Sequence, residues 1–267
     1  MKILSIGNSF SVDCQRYVRD IALSEGEDIR LGDLYIGGCS LERHCENLQS
    51  GQPCYEYYEN NVSLGRASLL TGVNDDDWDV ITLQQASHFS GVEETYFPYV
   101  ETLAAFVRER HPRAKLFINE TWAYEYDSTH PQFVTYHSDR FDMHERLSAA
   151  YRKAAKSVSA DIIPVGDAVA KAREIPAFDP EKGGIALTRD GFHLSYDYGR
   201  YLAAAVWFET LFGRAPGENS FTPAEREYTG KNDSGKPQYR NIPGTEADPN
   251  LIRILRSVAH EAVSSLG

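Results

Sequence analysis

The chain has 267 residues, 42% of them hydrophobic and 25% charged, with a formal charge of −12 at pH 7. This is globular composition with length for one large α/β domain over residues 1–267, and the acidity argues against nucleic acid or an anionic membrane as a partner, since neither would be neutralised here. No run approaches the roughly 20 apolar residues of a membrane span, and the chain enters a strand pattern with no apolar leader, so a cytoplasmic location is expected.

Lys2 to Ile6 is an aliphatic run of strand type that stops abruptly at Gly7-Asn8-Ser9-Phe10-Ser11. Cys14, Tyr17, Val18 and Ile21 then recur at helical spacing until Gly26. Ile29 to Ile36 reads as a second strand ending at Gly37-Gly38, and a helix is predicted from about Leu41 to Asn60. The Tyr55 to Tyr58 run and Gly65 to Asp77 read as helix and loop over the core. Asp79 to Leu83 is the third strand and runs into Gln84-Gln85-Ala86-Ser87; Tyr96, Tyr99, Val100, Leu103 and Val107 mark the next amphipathic helix. Lys115 to Ile118 is the fourth strand, followed by the aromatic loop TWAYEYDSTHPQF and a helix around Phe141 to Ser157. Asp161 to Val165 is the fifth. After a helix from Ser195 to Phe212, residues 214–249 are rich in Gly, Pro, Asn and Ser and read as an irregular surface excursion, and a helix within 250–266 closes the chain.

Strands that are continuously apolar and separated by helices predict a doubly wound, flavodoxin-like, five-stranded parallel sheet with helices on both faces. Functional groups of such sheets gather at the carboxyl ends of the strands. Here those ends carry GNSFS, GGCS, QQAS and NETW. Cys14, Cys39, Cys45 and Cys54 lack CxxC spacing, and reduced thiols are expected. His130, His137 and His144 are spaced by sevens, a period that lines up one helix face; His144, beside Leu147 and Tyr151, reads as part of a core stripe, and no metal is expected.

Ser9 follows a strand and precedes a helix, where a serine can cap the helix, cradle a phosphate or act as a nucleophile. Ser11 is the better cap, standing directly ahead of Val12-Asp13. The nucleophile reading gains from TRDGFHLS near the C-terminus, in which Asp190 and His193 are separated by two residues. A serine hydroxyl needs a base to take its proton, and the base needs a carboxylate to fix its tautomer; a DxxH turn supplies both.

In order and spacing, GNSFS, the glycines after the second strand, the polar cluster after the third and DGFHLS together resemble the SGNH (GDSL-type) hydrolases, over roughly residues 1–213. The resemblance implies Ser9 as nucleophile, His193 as general base and then acid, and Asp190 as the orienting carboxylate. It implies an oxyanion hole from the N–H groups of Ser9 and Gly38, with Gly37 as the fallback. The family's third block donates an asparagine side chain, and this chain has QQAS there. Sialate O-acetylesterase-like members carry a glutamine at that block, which makes Gln84 the replacement donor and leaves Gln85 and Ser87 as competitors. Gln85, Ser87 and Trp122 are candidate walls for an acyl group or sugar ring, with packing at the sheet end as the other role open to Trp122. The expected activity is a serine esterase that needs no cofactor and removes a short acyl group, such as acetyl, from a carbohydrate or small polar ester. An acyltransferase using the same triad and a non-catalytic phosphate- or nucleotide-binding module are the alternatives.

Overall fold

The five predicted aliphatic runs become strands, and helices are laid beside them. The computed structural model describes residues 1–217, 221–224, 226–231, 237–242 and 244–266. In chain order the elements are β1 (Lys2–Gly7), α1 (Ser9–Gln15), α2 (Val18–Ser24), β2 (Arg30–Tyr35), α3 (Leu41–Ser50), β3 (Tyr55–Glu59), β4 (Val62–Ala67), α4 (Leu69–Val73) and β5 (Val80–Leu83). Then come α5 (Tyr99–Arg110), β6 (Lys115–Asn119), α6 (Arg140–Ser157), β7 (Asp161–Ile163), α7 (Val165–Glu174), α8 (Tyr198–Phe212), β8 (Arg226–Lys231), β9 (Pro237–Asn241) and α9 (Pro249–Ser264).

The main sheet has seven strands in the order β4-β3-β2-β1-β5-β6-β7. Strands β2, β1, β5, β6 and β7 are mutually parallel, while β3 and β4 join the β2 edge as an antiparallel hairpin. The expectation of five strands is therefore corrected to seven. The missed hairpin lies where a helix was expected to continue to Asn60; α3 instead ends at Gly51, whose left-handed φ of 63° caps it. The hairpin turns on Asn60-Asn61, with φ of 49° and 64°, the pair of positive angles that a type I′ turn requires and that asparagine tolerates.

Neighbouring residues of β2 show that helices cover both faces. Asp33 meets Ser11 of α1, whereas the next residue, Leu34, packs on Gly72 of α4, where an added Cβ would come within 2.5 Å of a Leu34 methyl. Successive strand residues point to opposite faces, so α1 and α4 lie on opposite sides. Helix α8 is buried almost all round, with Tyr201, Leu202, Val206, Trp207 and Phe208 fully covered, as expected of an apolar helix without a polar face. It packs against α1, α2, α7 and α9. The amphipathic α9 closes that layer through Ile252, Leu255, Val258 and Ala262.

Three further expectations shift. The fifth parallel strand stops at Ile163, because Pro164 precedes a helix, α7, that the sequence reading lacked. Residues 214–249 contain the β8–β9 hairpin; the rest of that expectation falls partly on 218–220, 225, 232–236 and 243, which lie outside the described residues. His130, His137 and His144 do not share a helix: the first two flank a short 3-10 turn and only His144 lies in α6. All four cysteines are free, and no helix among the described residues is long and apolar enough to cross a membrane.

Candidate active site

The turn from β1 into α1 is made in one residue. An added Cβ at Gly7 would lie 2.4 Å from the Ser11 hydroxyl, so only glycine allows the helix to start this close to the strand. The N-cap is Asn8, whose side chain accepts from the Phe10 N–H at 3.1 Å. Ser11, expected as the cap, instead donates back to the Asn8 carbonyl at 2.7 Å. Ser9 is thereby the first residue of α1, a place whose N–H has no acceptor within the helix.

Asn8 is 1% exposed and uses its whole amide. Its Oδ1 also accepts from Gln84 Nε2 at 2.8 Å, and its Nδ2 donates to the carbonyls of Cys39 at 3.0 Å and Gln85 at 3.4 Å. One side chain therefore ties together the carboxyl ends of β1, β2 and β5. An aspartate could not donate those two bonds, which accounts for GNS in this chain.

The Asp190 to His193 turn folds back onto that point. His193 Nε2 lies 2.8 Å from Ser9 Oγ, and His193 Nδ1 lies 2.7 Å from Asp190 Oδ2. The second Asp190 oxygen accepts the N–H groups of His193 at 2.7 Å and Phe192 at 3.2 Å. Burial would raise the Asp190 carboxyl, but these bonds from His193 and Phe192 outweigh it and hold the group below its ordinary value. An anionic Asp190 fixes the proton on Nδ1 and leaves Nε2 to accept from the serine hydroxyl. The His193 and Asp190 side chains keep 20% and 40% of their exposure, so the group is open to a ligand.

The turn is clamped by residues that sequence reading missed. Asp13 lies one helical turn beyond Ser9 on α1 and is 1% exposed. It accepts the Leu194 N–H at 2.9 Å and pairs with Arg189 at 3.1 Å and Arg200 at 2.7 Å. The Glu125 N–H donates to the Gly191 carbonyl at 2.7 Å, and the Glu125 carboxylate is held between the buried Arg140 and Arg173, each 3.1 Å away. The sequence signal for Asp13 is a charge set directly between Val12 and the buried Cys14 of α1.

The remaining expected site residues divide. Gln84 is buried beside Gly7, with its Oε1 accepting from Asn119 Nδ2 at 2.8 Å and Asn119 accepting in turn from Trp207. Gln85 is fully buried and fully committed: its Oε1 accepts from the Leu41 and Ala86 N–H groups and its Nε2 donates to Thr95. Trp122 is also fully buried, stacked on Phe10 with ring centres 4.2 Å apart and donating to the Phe192 carbonyl at 2.7 Å. Neither Gln85 nor Trp122 offers surface for a substrate wall; both hold the loops that form the site. Ser87 is nearly buried and bonded to the Tyr124 hydroxyl. Gly38 is exposed in a left-handed turn, φ 61°, next to the Cys39 carbonyl that Asn8 anchors, and its N–H has no acceptor among the described residues. No group of metal-ligating side chains occurs among the described residues. Two cavities, of about 480 and 950 Å³, have neither Ser9 nor His193 in their linings.

Residues 2–234 match a family described as a domain of unknown function, DUF4886. The crystal structure of a DUF4886 family protein from Bacteroides uniformis ATCC 8492 is 32% identical over 99% of this chain and 95% of that one, with a TM-score of 0.85. A candidate SGNH hydrolase from Slackia heliotrinireducens is 24% identical over 79% of this chain and 98% of that one, with a TM-score of 0.55. A candidate GDSL-like lipase from Parabacteroides merdae ATCC 43184 is 14% identical over 78% and 94%, with a TM-score of 0.50. The last two are likenesses of fold. No curated protein matches the chain.

Proposed function

The chain belongs to the DUF4886 family, and for it we propose a serine esterase that removes a short acyl group, acetyl among them, from a carbohydrate or other small polar ester. The observation that carries this reading is the continuous link from Ser9 Oγ to His193 Nε2 at 2.8 Å and from His193 Nδ1 to Asp190 at 2.7 Å. His193 takes the Ser9 proton as Oγ attacks the ester carbonyl, and Asp190 stabilises the imidazolium that forms. The proton then passes to the leaving alcohol, and an acyl-serine remains. Water, deprotonated by the same imidazole, releases the acid and restores Ser9.

The tetrahedral oxyanion needs donors that are already in place. The Ser9 and Gly38 N–H groups are two, and the Gln84 amide is the third, with one N–H on Asn8 and the other for the oxyanion. A fluorophosphonate should label Ser9, and Ser9→Ala should lose both the label and the release of acetate from p-nitrophenyl acetate. An unlabelled Ser9, or equal turnover in the variant, would remove the reading. An acyltransferase with the same three residues differs only in the acceptor, and a transferred acetyl group on an added sugar alcohol would reveal it.

A further inference from the structure

A row of rings leads away from the catalytic histidine over the carboxyl ends of β5 and β6. The Phe192 ring lies 4.3 Å from that of His193, His130 follows 5.0 Å from Phe192, and His88 is stacked on His130 at 6.2 Å. Phe89 then lies 4.2 Å from His88. All are partly exposed. His88 is carried by the short helix directly after Gln84-Gln85-Ala86, and His130 caps the turn after β6, so the row begins at the reacting atoms and runs across two adjacent strand ends.

Neither the fold nor the triad uses the outward nitrogens of these two histidines. His130 Nδ1 accepts the Gln132 N–H at 3.3 Å, which puts the proton of the neutral ring on Nε2 as a free donor. The ring nitrogens of His88 bond to no described residue and are not sealed from solvent. Burial holds both imidazoles below the ordinary histidine value, with each further lowered by a neighbouring imidazole, so near neutrality they are uncharged. The surface therefore combines flat ring faces from Phe89 and Phe192 with neutral donors and acceptors. A long alkyl chain would leave the imidazoles unpaired, and an anion would find no positive charge. A neutral ring bearing several hydroxyl or acyloxy groups satisfies both kinds of surface.

We infer that His130 and His88 form the subsite that binds the polyhydroxylated ring of the substrate and so select sugar esters over simple alkyl or aryl esters. This deepens the esterase reading and rests on it. The test compares kcat/KM for glucose pentaacetate with that for p-nitrophenyl acetate in the wild type, His130→Phe and His88→Phe. Phenylalanine keeps the flat face and removes the nitrogens, so the sugar-to-aryl ratio should fall by about tenfold or more, with the loss mainly in KM. An unchanged ratio in both variants would overturn the inference.

A second measurement does not depend on turnover. In Ser9→Ala protein, methyl β-D-glucopyranoside should shift the imidazole nitrogen signals of His130 and His88 in a long-range proton–nitrogen spectrum, and unmoved signals would also overturn the inference. If the wild type hydrolyses neither ester, the esterase reading falls, and the glycoside titration alone then decides whether the subsite exists.

Discussion

The Asp33 carboxyl lies 3.0 and 3.1 Å from the Ser11 hydroxyl, which shares its proton between that carboxyl and the Asn8 carbonyl at 2.7 Å. Asp33 accepts from that hydroxyl inside the protein, where it is 2% exposed. Burial, opposed only by the Ser11 bond, pushes its pKa well above the ordinary carboxylate value. Asp33 thereby supports Ser11, which supports the Asn8 turn that presents Ser9.

The consequence is a stability that declines as pH rises. Below the ordinary value of 3.8 the group is protonated in both folded and unfolded chains. Above it the unfolded chain ionises first and the folded chain binds more protons, so stability falls by up to about 1.4 kcal/mol per pH unit until the raised folded pKa is passed. Asp33→Asn cannot ionise, and its stability relative to wild type should climb with pH from about 4 upward. Urea unfolding of both proteins across that range measures it; a difference independent of pH would mean Asp33 is ionised in the fold.

Asp13 should act on the site from behind. Asp13→Ala would leave Arg189 and Arg200 half-buried without their carboxylate and free the Leu194 N–H, one residue after His193. Removing one partner of such a cluster typically costs about 3 kcal/mol, and the loosened turn should lower kcat more than it raises KM. Denaturant midpoints and ester kinetics on the same protein separate the two effects. A variant that loses stability but keeps kcat would show that the turn holds its geometry without Asp13.

The legible part of this molecule is what neighbours in sequence decide. Strand β5 is buried on every residue, as befits a parallel interior strand, and its aliphatic run announces that. The β3–β4 hairpin was lost because its tyrosines continue the helical spacing of α3, and only the two asparagines at its tip mark the turn. GNSFS and DGFHLS were legible as blocks, but the contact of Asp13 with Arg189 spans 176 residues and leaves no local trace. The two glutamines are separated by strand parity. Gln84 shares the α1 face with Thr82, which bonds Ser5, while Gln85 reaches the α3 N-terminus and Thr95 on the other side. That parity depends on register, which a four-residue strand does not declare.

Exchanging Asn8 for an aspartate should harm this chain. Asn8→Asp removes the donors to the Cys39 and Gln85 carbonyls and sets a carboxylate against them inside the protein. Each buried group left unpaired costs about 1–3 kcal/mol, so the melting temperature should fall by several degrees or more. A variant as stable as wild type would show that those carbonyls find other donors.

In the proposed esterase, Gln84 is assigned as the side-chain donor of the oxyanion hole. Its Oε1 is fixed by Asn119 and one Nε2 hydrogen by Asn8, so the amide plane cannot rotate and the second hydrogen has one direction only. A donor fixed this way meets its partner when the carbonyl oxygen becomes an oxyanion, and Gln84→Ala should lower kcat by about a hundred- to a thousandfold with little change in KM. Gln84→Glu keeps the acceptor for Asn119 but places a carboxylate toward the developing charge, and its kcat should fall at least as far. Losing the Asn8 bond alone would also disturb Ser9, so the two variants are read against fluorophosphonate labelling. Normal labelling with depressed ester turnover would indicate a seated nucleophile whose oxyanion lacks a donor, because the phosphonate supplies its own strong leaving group. Labelling that falls in step with turnover would instead assign Gln84 to positioning Asn8, and the hole would rest on the Ser9 and Gly38 N–H groups.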